Sequence, residues 1–169
     1  MKRLAAMTVL ALAALTATPA GASVDGCTAA IERFQTEHAA AYQDAGAPPI
    51  TCAATSNGTL GGIYKQGSIT IYPAHGTATA DDYYRSVVAH EVGHAYNTNL
   101  GKARWNAYTI IRGWDGYTID AYEDYAETFA LTLGEWAAIG SPEPFAFQNA
   151  AGVPTAEQIA QLRQWGIVP

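Results

Sequence analysis

The residues with the clearest capacity for chemistry are His90 and His94, which are four positions apart and enclose Glu91. On a helix, residues i and i+4 lie on one face, about 6 Å apart along the axis, so both imidazoles can bind one metal ion. Glu91 lies about 100° further round, where its carboxylate can reach a water on the metal rather than the metal itself. Two neutral imidazoles with no neighbouring thiolate favour a single catalytic Zn²⁺. The spacing therefore predicts a metal centre with Glu91 as general base.

A third ligand must come from elsewhere in the chain. Asn97 and Leu100 stand where the metzincin motif has Gly and His, so that class is excluded. Glu123 and Glu127 are also four positions apart, and two carboxylates facing an apolar interior need a cation or hydrogen-bond donors. We expect Glu123 to bind the metal and Glu127 to accept a hydrogen bond from a ligand histidine. Three acidic residues are alternatives for the third ligand: Glu127, Asp120 and Asp115.

Two long helices are predicted to carry these residues. The first extends over 79–97 and opens with a pattern that resembles a capping box, Thr79 to Asp82. The second covers 120–138 and ends before the Pro-rich stretch that follows. The segment between them, over 100–118, is rich in Gly and Trp and is predicted to be irregular.

The remaining elements predict a single α+β domain with a small antiparallel sheet. An apolar pattern of helical spacing covers 28–44, and Thr155 with Gln158 caps a final helix that ends near Trp165. The strand over 68–72 could be an edge that pairs with an extended substrate. Gln66-Gly67 predicts the hairpin turn, and three short segments read as strands: 50–53, 61–65 and 68–72.

Residues 1–22 are typical of a secretory signal peptide. Lys2 and Arg3 precede an apolar run over 4–17, and Ala20-Gly21-Ala22 has the form of a cleavage site. Fourteen residues of helix are too short to cross the ~30 Å hydrocarbon core of a bilayer. We therefore expect a secreted, extracellular protein with no membrane association after cleavage, whose domain comprises residues 23–169.

Composition and cysteine content agree with an exported single domain. Cys27 and Cys52 are the only cysteines, and an oxidising compartment favours a disulfide that stabilises the fold by roughly 3.5 kcal/mol. The formal charge of −6 becomes −8 without Lys2 and Arg3, and no basic cluster exists. This excludes a nucleic-acid partner. With 169 residues, 49% of them apolar, the chain can build one core, and we expect a monomer.

The two motifs together resemble a known group of enzymes. His90-Glu91-Val92-Gly93-His94, followed by the E-D-Y-A-E-T-F-A sequence of residues 123–130, is similar to the gluzincin zinc peptidases. The form is most similar to lethal-factor-like and small bacterial zincin domains, and the resemblance is confined to residues 80–135. It implies a zincin-like fold in which His90, His94 and Glu123 bind zinc, Glu91 is general base and acid, and Glu127 supports a ligand. The chain differs from the thermolysin group in having Glu127 where that group has Asp.

The resemblance implies hydrolysis of peptide bonds in a peptide or protein substrate. A second donor to the oxyanion is usually required, and Tyr117 is the candidate because lethal-factor-like domains place a Tyr in a similar stretch. Tyr108, Tyr122 and His75 are rivals for this role. Two alternative functions stay open: a zincin-like module that binds metal without proteolysis, and a hydrolase of cell-wall peptides.

Overall fold

The structure is a computed structural model that describes residues 24–55, 57, 61–73, 80–135 and 151–169. The described residues form six helices and three strands, which confirms the α+β class. In chain order they are α1 (Val24–Glu37), α2 (Ala39–Asp44), β1 (Ile50–Cys52), β2 (Gly62–Lys65), β3 (Ser68–Ile71), α3 (Ala80–Leu100), α4 (Lys102–Arg112), α5 (Ile119–Thr132) and α6 (Ala156–Gln164). The segment predicted to be a signal peptide lies outside the described residues.

The three strands form one sheet with β3 in the middle. β3 pairs antiparallel with β2 through a turn at Gln66 and Gly67, whose positive φ angles of 52° and 81° suit a tight hairpin. It pairs parallel with β1, with Ile50 opposite Ile69. The expectation of an antiparallel sheet is therefore wrong at β1, because its longer connection to β2 lets it lie beside β3 instead. The strand over 68–72 is central rather than an edge, and β1 and β2 lie at the two edges of the sheet.

α3 is the helix against which most of the fold packs. It contacts α1 on one side, α5 on another, and the strands β2 and β3 on a third. Its buried residues include Tyr84, Ser86, Val87 and Ala89, which occur on several sides of the helix rather than along one stripe. The segment from His90 to His94 therefore lies on the most enclosed element of the described structure.

The predicted helix over 28–44 is two helices, α1 and α2, that are separated at His38. Cys27 of α1 and Cys52 of β1 form the expected disulfide, with their Cα atoms 6.1 Å apart. Cys27 is fully buried beside Ala30 and Phe34. The bridge therefore ties the first helix to the sheet within the core.

The prediction of irregular structure over 100–118 is wrong, because α4 occupies most of that segment. Buried contacts hold α4 against α5. Arg112 donates to both carboxylate oxygens of Asp124, at 2.9 and 2.8 Å, and Tyr108 donates to the same carboxylate at 2.6 Å. Arg112 and Asp124 are fully buried, so each needs the other. Long-range partners, rather than local propensity, therefore stabilise this helix.

α5 and α6 begin where the sequence predicts. The side chain of Thr118 accepts a hydrogen bond from the backbone of Ala121 at the start of α5, and Thr155 forms a capping box with Gln158 at the start of α6. α5 ends at Thr132, earlier than predicted, and Gly134 just beyond it has a φ of 78°. Within the described part of the chain, none of the helices has the length and apolar character needed to cross a bilayer.

Candidate metal centre

His90 and His94 of α3 direct their Nε2 atoms to one point. These two nitrogens are 3.0 Å apart, and the ring planes are nearly perpendicular. Both residues are on the face of α3 that packs against α5, as the spacing of four predicts. His94 is buried, whereas the side chain of His90 is 18% exposed. The centre is therefore enclosed on one side and accessible on the other.

Glu123 of α5 completes a group of three ligand atoms. Its Oε2 lies 3.1 Å from Nε2 of His90 and 3.4 Å from Nε2 of His94. Three ligand atoms at the corners of a tetrahedron with bonds of 2.0–2.1 Å are separated by roughly 3.3 Å. The three distances between the ligand atoms, 3.0, 3.1 and 3.4 Å, are close to this tetrahedral separation. The three side chains could therefore hold one metal ion. The side chain of Glu123 is 41% exposed, which leaves room for water or a substrate at a fourth position.

Glu127 fixes the orientation of His90 from the other side of its ring. Its Oε1 lies 3.2 Å from Nδ1 of His90, and the carboxylate is buried. Because a carboxylate accepts there, Nδ1 carries a proton, and Nε2 is the ring nitrogen left to bind a metal. This is the relationship that the spacing of Glu123 and Glu127 predicts.

The charges of the group show why a cation suits it. Burial lowers the pKa of His94 to about 4, so this imidazole is neutral. Burial also opposes charge on His90 and Glu123, but hydrogen bonds outweigh it, raising the pKa of His90 and lowering that of Glu123. The positive charge among the three converging atoms is thus a second proton on His90, at Nε2, and a metal ion would replace that proton. A metal ion at their centre would satisfy all three.

Glu91 points toward β2 rather than into the group of three. A Cβ atom on Gly62 would lie 2.7 Å from Cγ of Glu91, so this side chain occupies the space that the glycine leaves. Burial raises the pKa of Glu91 to about 7. The charge of His90 and a backbone hydrogen bond from Tyr64 lower this pKa, but burial outweighs them. Oε2 of Glu91 is buried and has no hydrogen-bond partner within the described structure. A buried, unpartnered carboxylate oxygen beside a metal centre fits a group that exchanges a proton with water.

Tyr117 lies near the centre, where its ring contacts two other aromatic rings. It is 68% exposed, and its ring centroid is 5.0 Å from that of Trp105 and 6.1 Å from that of Tyr122. Tyr122 in turn stacks on His94, with ring centroids 4.2 Å apart. Burial is the main cause that raises the pKa of Tyr122, and the charges of neighbours that include Glu123 raise it further. Of the tyrosines considered as oxyanion donors, Tyr122 is therefore the one in direct contact with a ligand histidine.

Several residues that the sequence left open for these roles lie away from the three ligand atoms. Tyr108 is fully buried and its hydroxyl is used by Asp124. Asp115 and Asp120 are exposed, and neither belongs to the group of three ligand atoms. His75 lies outside the described residues.

A second group of possible ligands comprises Glu37, His38 and Glu135. Its charges are already balanced: Arg85 donates two hydrogen bonds to Glu135, at 2.8 and 3.1 Å, and His38 lies 2.7 Å from the same carboxylate. Glu37 pairs with Arg33 at 2.8 Å. We therefore interpret this group as a salt-bridge network that joins α1, α3 and the end of α5.

Sequence reasoning missed Gly62 altogether, and it considered Tyr122 only as a donor to the oxyanion. Gly62 provides the space for Glu91, and Tyr122 provides the stacking surface for His94. The position of Tyr122, next to Glu123 on α5, could have indicated its proximity to the ligand histidines of the candidate site. Nothing local in the sequence marks Gly62, because its role depends on β2 lying against α3.

No family model matches the chain, and no curated protein or solved structure matches it either. An assignment of function therefore depends on the arrangement of His90, Glu91, His94 and Glu123 alone.

Proposed function

We propose that the protein is a secreted zinc-dependent endopeptidase with a zincin-like fold. The observation that carries the proposal is the convergence of His90, His94 and Glu123, whose ligand atoms are 3.0–3.4 Å apart, beside the buried carboxylate of Glu91. Two imidazoles and one carboxylate with an open fourth position form a typical catalytic zinc set. When bound, Zn²⁺ supplies Lewis acidity, which polarises a carbonyl and makes water more acidic.

The protein side chains would perform the proton transfers. Glu91 takes a proton from the attacking water, and its environment suits this role because burial raises its pKa toward neutrality. The same carboxyl group then delivers the proton to the leaving amine. β2 holds Glu91 in place through the space at Gly62 and the backbone of Tyr64.

Two further residues would support the reaction. Glu127 keeps Nε2 of His90 free to bind by accepting from Nδ1. Tyr122, stacked on His94, and Tyr117, next to it, are the candidates for a donor to the oxyanion. A module that binds metal without hydrolysis would not need the unpartnered Glu91 carboxylate, which favours the enzyme.

The test is cleavage profiling of a broad peptide library by the zinc-loaded protein. Glu91→Gln is the matched variant, and Glu32→Gln, an exposed change on α1, is the control. We expect cleavage by the wild type and the control, and a loss of at least 100-fold in Glu91→Gln. Bound zinc, measured by elemental analysis, should stay at one equivalent in Glu91→Gln and fall in His94→Ala.

Either of two results would overturn the proposal. Full activity of Glu91→Gln would show that another residue is the base. Stoichiometric zinc without cleavage of any peptide by the wild type would favour a metal-binding module. A series of cell-wall peptides in the same library identifies a cell-wall hydrolase, because only that enzyme would cleave them selectively.

A further inference from the structure

A cavity of about 400 Å³ lies beside the metal centre, where α3 ends and α4 begins. Its wall includes Asn97 of α3, Lys102 and Trp105 of α4, and the exposed ring of Tyr117. Among the described residues, none that lines the cavity is acidic, although the chain carries a net charge of −6. The cavity is therefore a locally positive, partly aromatic space in an acidic protein.

The cavity is adjacent to the ligand histidines. Asn97 is three residues after His94 on α3, so the two side chains lie on one face of the helix. On the other side, the rings of Tyr117, Tyr122 and His94 follow one another at centroid distances of 6.1 and 4.2 Å. The cavity therefore adjoins the ligand group at His94.

Two buried donors at the cavity have no acceptor. Nδ2 of Asn97 and Nε1 of Trp105 lack a hydrogen-bond partner in the described structure, and each residue is only 8% exposed. Leaving a buried donor unsatisfied costs roughly 1–3 kcal/mol, so such donors are uncommon in folded proteins. Both residues line the cavity, so an acceptor group on a ligand in this space is the partner we infer for their donors.

The start of α4 adds positive charge to the same space. α4 is 11 residues long, and its N-cap is Gly101, which has no side chain to accept from the first turn. The free backbone N–H groups and the helix dipole at such a terminus favour an anion. Lys102, in the first turn, contributes a full positive charge. Gly101 and Lys102 both line the cavity, so these effects act where the two unsatisfied donors are.

We propose that this cavity binds a carboxylate of the substrate, which makes the protein selective for peptides with an acid close to the cleaved bond. The claim that the bound carboxylate belongs to a substrate rests on the proposed peptide hydrolysis. The carboxylate site itself does not depend on it. The carboxylate has two possible sources, an Asp or Glu side chain and a free C-terminus. The aromatic surfaces of Trp105 and Tyr117 would hold the apolar stem of the bound residue.

The first experiment measures binding without any reaction. The indole N–H resonance of Trp105, assigned by its loss in Trp105→Phe, is followed by NMR in the zinc-loaded protein. Three probes are added in turn: N-acetyl-glutamate α-amide, N-acetyl-glutamine with a free carboxylate, and N-acetyl-glutamine amide with no carboxylate. We expect one or both carboxylates to shift the resonance and the neutral amide not to shift it. A shift by the amide of equal size and affinity, or no shift by either carboxylate, would overturn the proposal.

Variants connect the binding to the cavity. Asn97→Leu removes one unsatisfied donor. Lys102→Gln removes the positive charge, and because Lys102 is exposed we expect this variant to fold as the wild type does. Each should weaken carboxylate binding about tenfold or more, as expected for a hydrogen bond or charge that contacts an ion. Asn99→Leu, an exposed change on the same helix outside the cavity wall, should bind as the wild type does. Unchanged affinity in Lys102→Gln would contradict the proposal even if Asn97→Leu does not fold.

The second experiment identifies the source and separates the two proposals. Peptides with Glu or Gln near the cleaved bond are compared, each with a free and with an amidated C-terminus. Preference for Glu whatever the C-terminus indicates the side chain, and preference for the free C-terminus indicates the terminal carboxylate. Cleavage without either preference would overturn the carboxylate site and leave hydrolysis standing. A Trp105 shift without any cleavage would overturn hydrolysis and leave the site standing.

Discussion

A Cβ atom on Gly93 would lie 2.9 Å from Cα of Ala126, so α3 and α5 are in contact through their backbones beside the candidate metal centre. Gly93 adjoins His94, and Ala126 lies between Glu123 and Glu127. This contact sets the distance between the helix that carries the histidines and the helix that carries the carboxylates. A glycine at this position is therefore part of the geometry of the site.

Gly93→Ala should lower the free energy of unfolding. Alanine is favoured over glycine in a helix by about 1 kcal/mol, but forcing a methyl group into this contact costs roughly 1–3 kcal/mol and moves α5. We expect a net loss of up to about 2 kcal/mol in urea unfolding, together with weaker zinc binding. Asn99→Ala, an exposed change on the same helix, should stay within about 0.5 kcal/mol of the wild type. A stabilised Gly93→Ala protein would show that the helices are not in backbone contact.

Gly62→Ala should damage catalysis more than stability. The new Cβ would lie 2.7 Å from Cγ and 2.8 Å from Oε1 of Glu91, so the carboxylate must move. A displacement of about 1 Å can cost about 100-fold in rate, whereas a side chain can relax at small cost in stability. We expect kcat to fall at least tenfold while bound zinc stays at one equivalent. In the neighbouring control Gly61→Ala, the methyl group meets Val87 and Tyr83 instead, and kcat should fall much less.

Glu127 should act on the metal through His90 alone. Glu127→Ala leaves Nδ1 of His90 without its acceptor at 3.2 Å, and loss of such a partner typically weakens metal binding 10–100-fold. Glu127→Gln keeps an oxygen that can accept there, so it should recover most of the affinity. Zinc dissociation constants from competition with a chelator provide the measurement. Equal losses in the two variants would indicate a packing role, and the exposed Asp120→Ala on α5 should change nothing.

The juxtaposition of the residues in the candidate metal centre could largely be predicted because they are related by helical spacing. His90 with His94, and Glu123 with Glu127, are each four apart, and this local relationship survives in the fold. The third ligand needed an argument about burial rather than spacing. The space at Gly62 could not be predicted, because it depends on a strand and a helix that meet only in the folded chain.

α4 shows where local reasoning failed. Its sequence contains Thr109, Ile110 and Ile111, which disfavour helix slightly, and it follows a glycine instead of a capping side chain. The helix forms because Tyr108 and Arg112 reach the buried Asp124 on α5. The parallel pairing of β1 was missed for a similar reason, since only the hairpin turn is encoded locally.

The network around Glu135 should make stability depend on acid pH. Burial would raise the pKa of Glu135, but hydrogen bonds from Arg85 and His38 outweigh it and hold the pKa below its ordinary value of 4.5. Since the folded-state pKa is the lower one, the stabilisation is present above about pH 4.5 and is lost as the pH falls through that lower pKa. Glu135→Gln should therefore differ most from the wild type at neutral pH and least near pH 3. Urea unfolding between pH 3 and 7 measures this difference.

The control for this prediction is Glu157→Gln, an exposed change in the first turn of α6. Its difference from the wild type should be small at every pH. If the difference between Glu135→Gln and the wild type stayed constant from pH 7 to pH 3, the ion pair would not be the source of the acid sensitivity.

The continuity of α3 has a consequence for the position of cleavage. A helix rises about 1.5 Å per residue, so Asn97 is only ~4.5 Å further along the axis than His94, and the helix end at Leu100 is ~9 Å away. An extended peptide advances about 3.3–3.6 Å per residue. A carboxylate held at Asn97 and Gly101 would thus be one to three residues from the bond at the metal. The rigid helix would then set the number of residues between the acidic group of the substrate and the cleaved bond. The identity of the residues between these two points would not change that number.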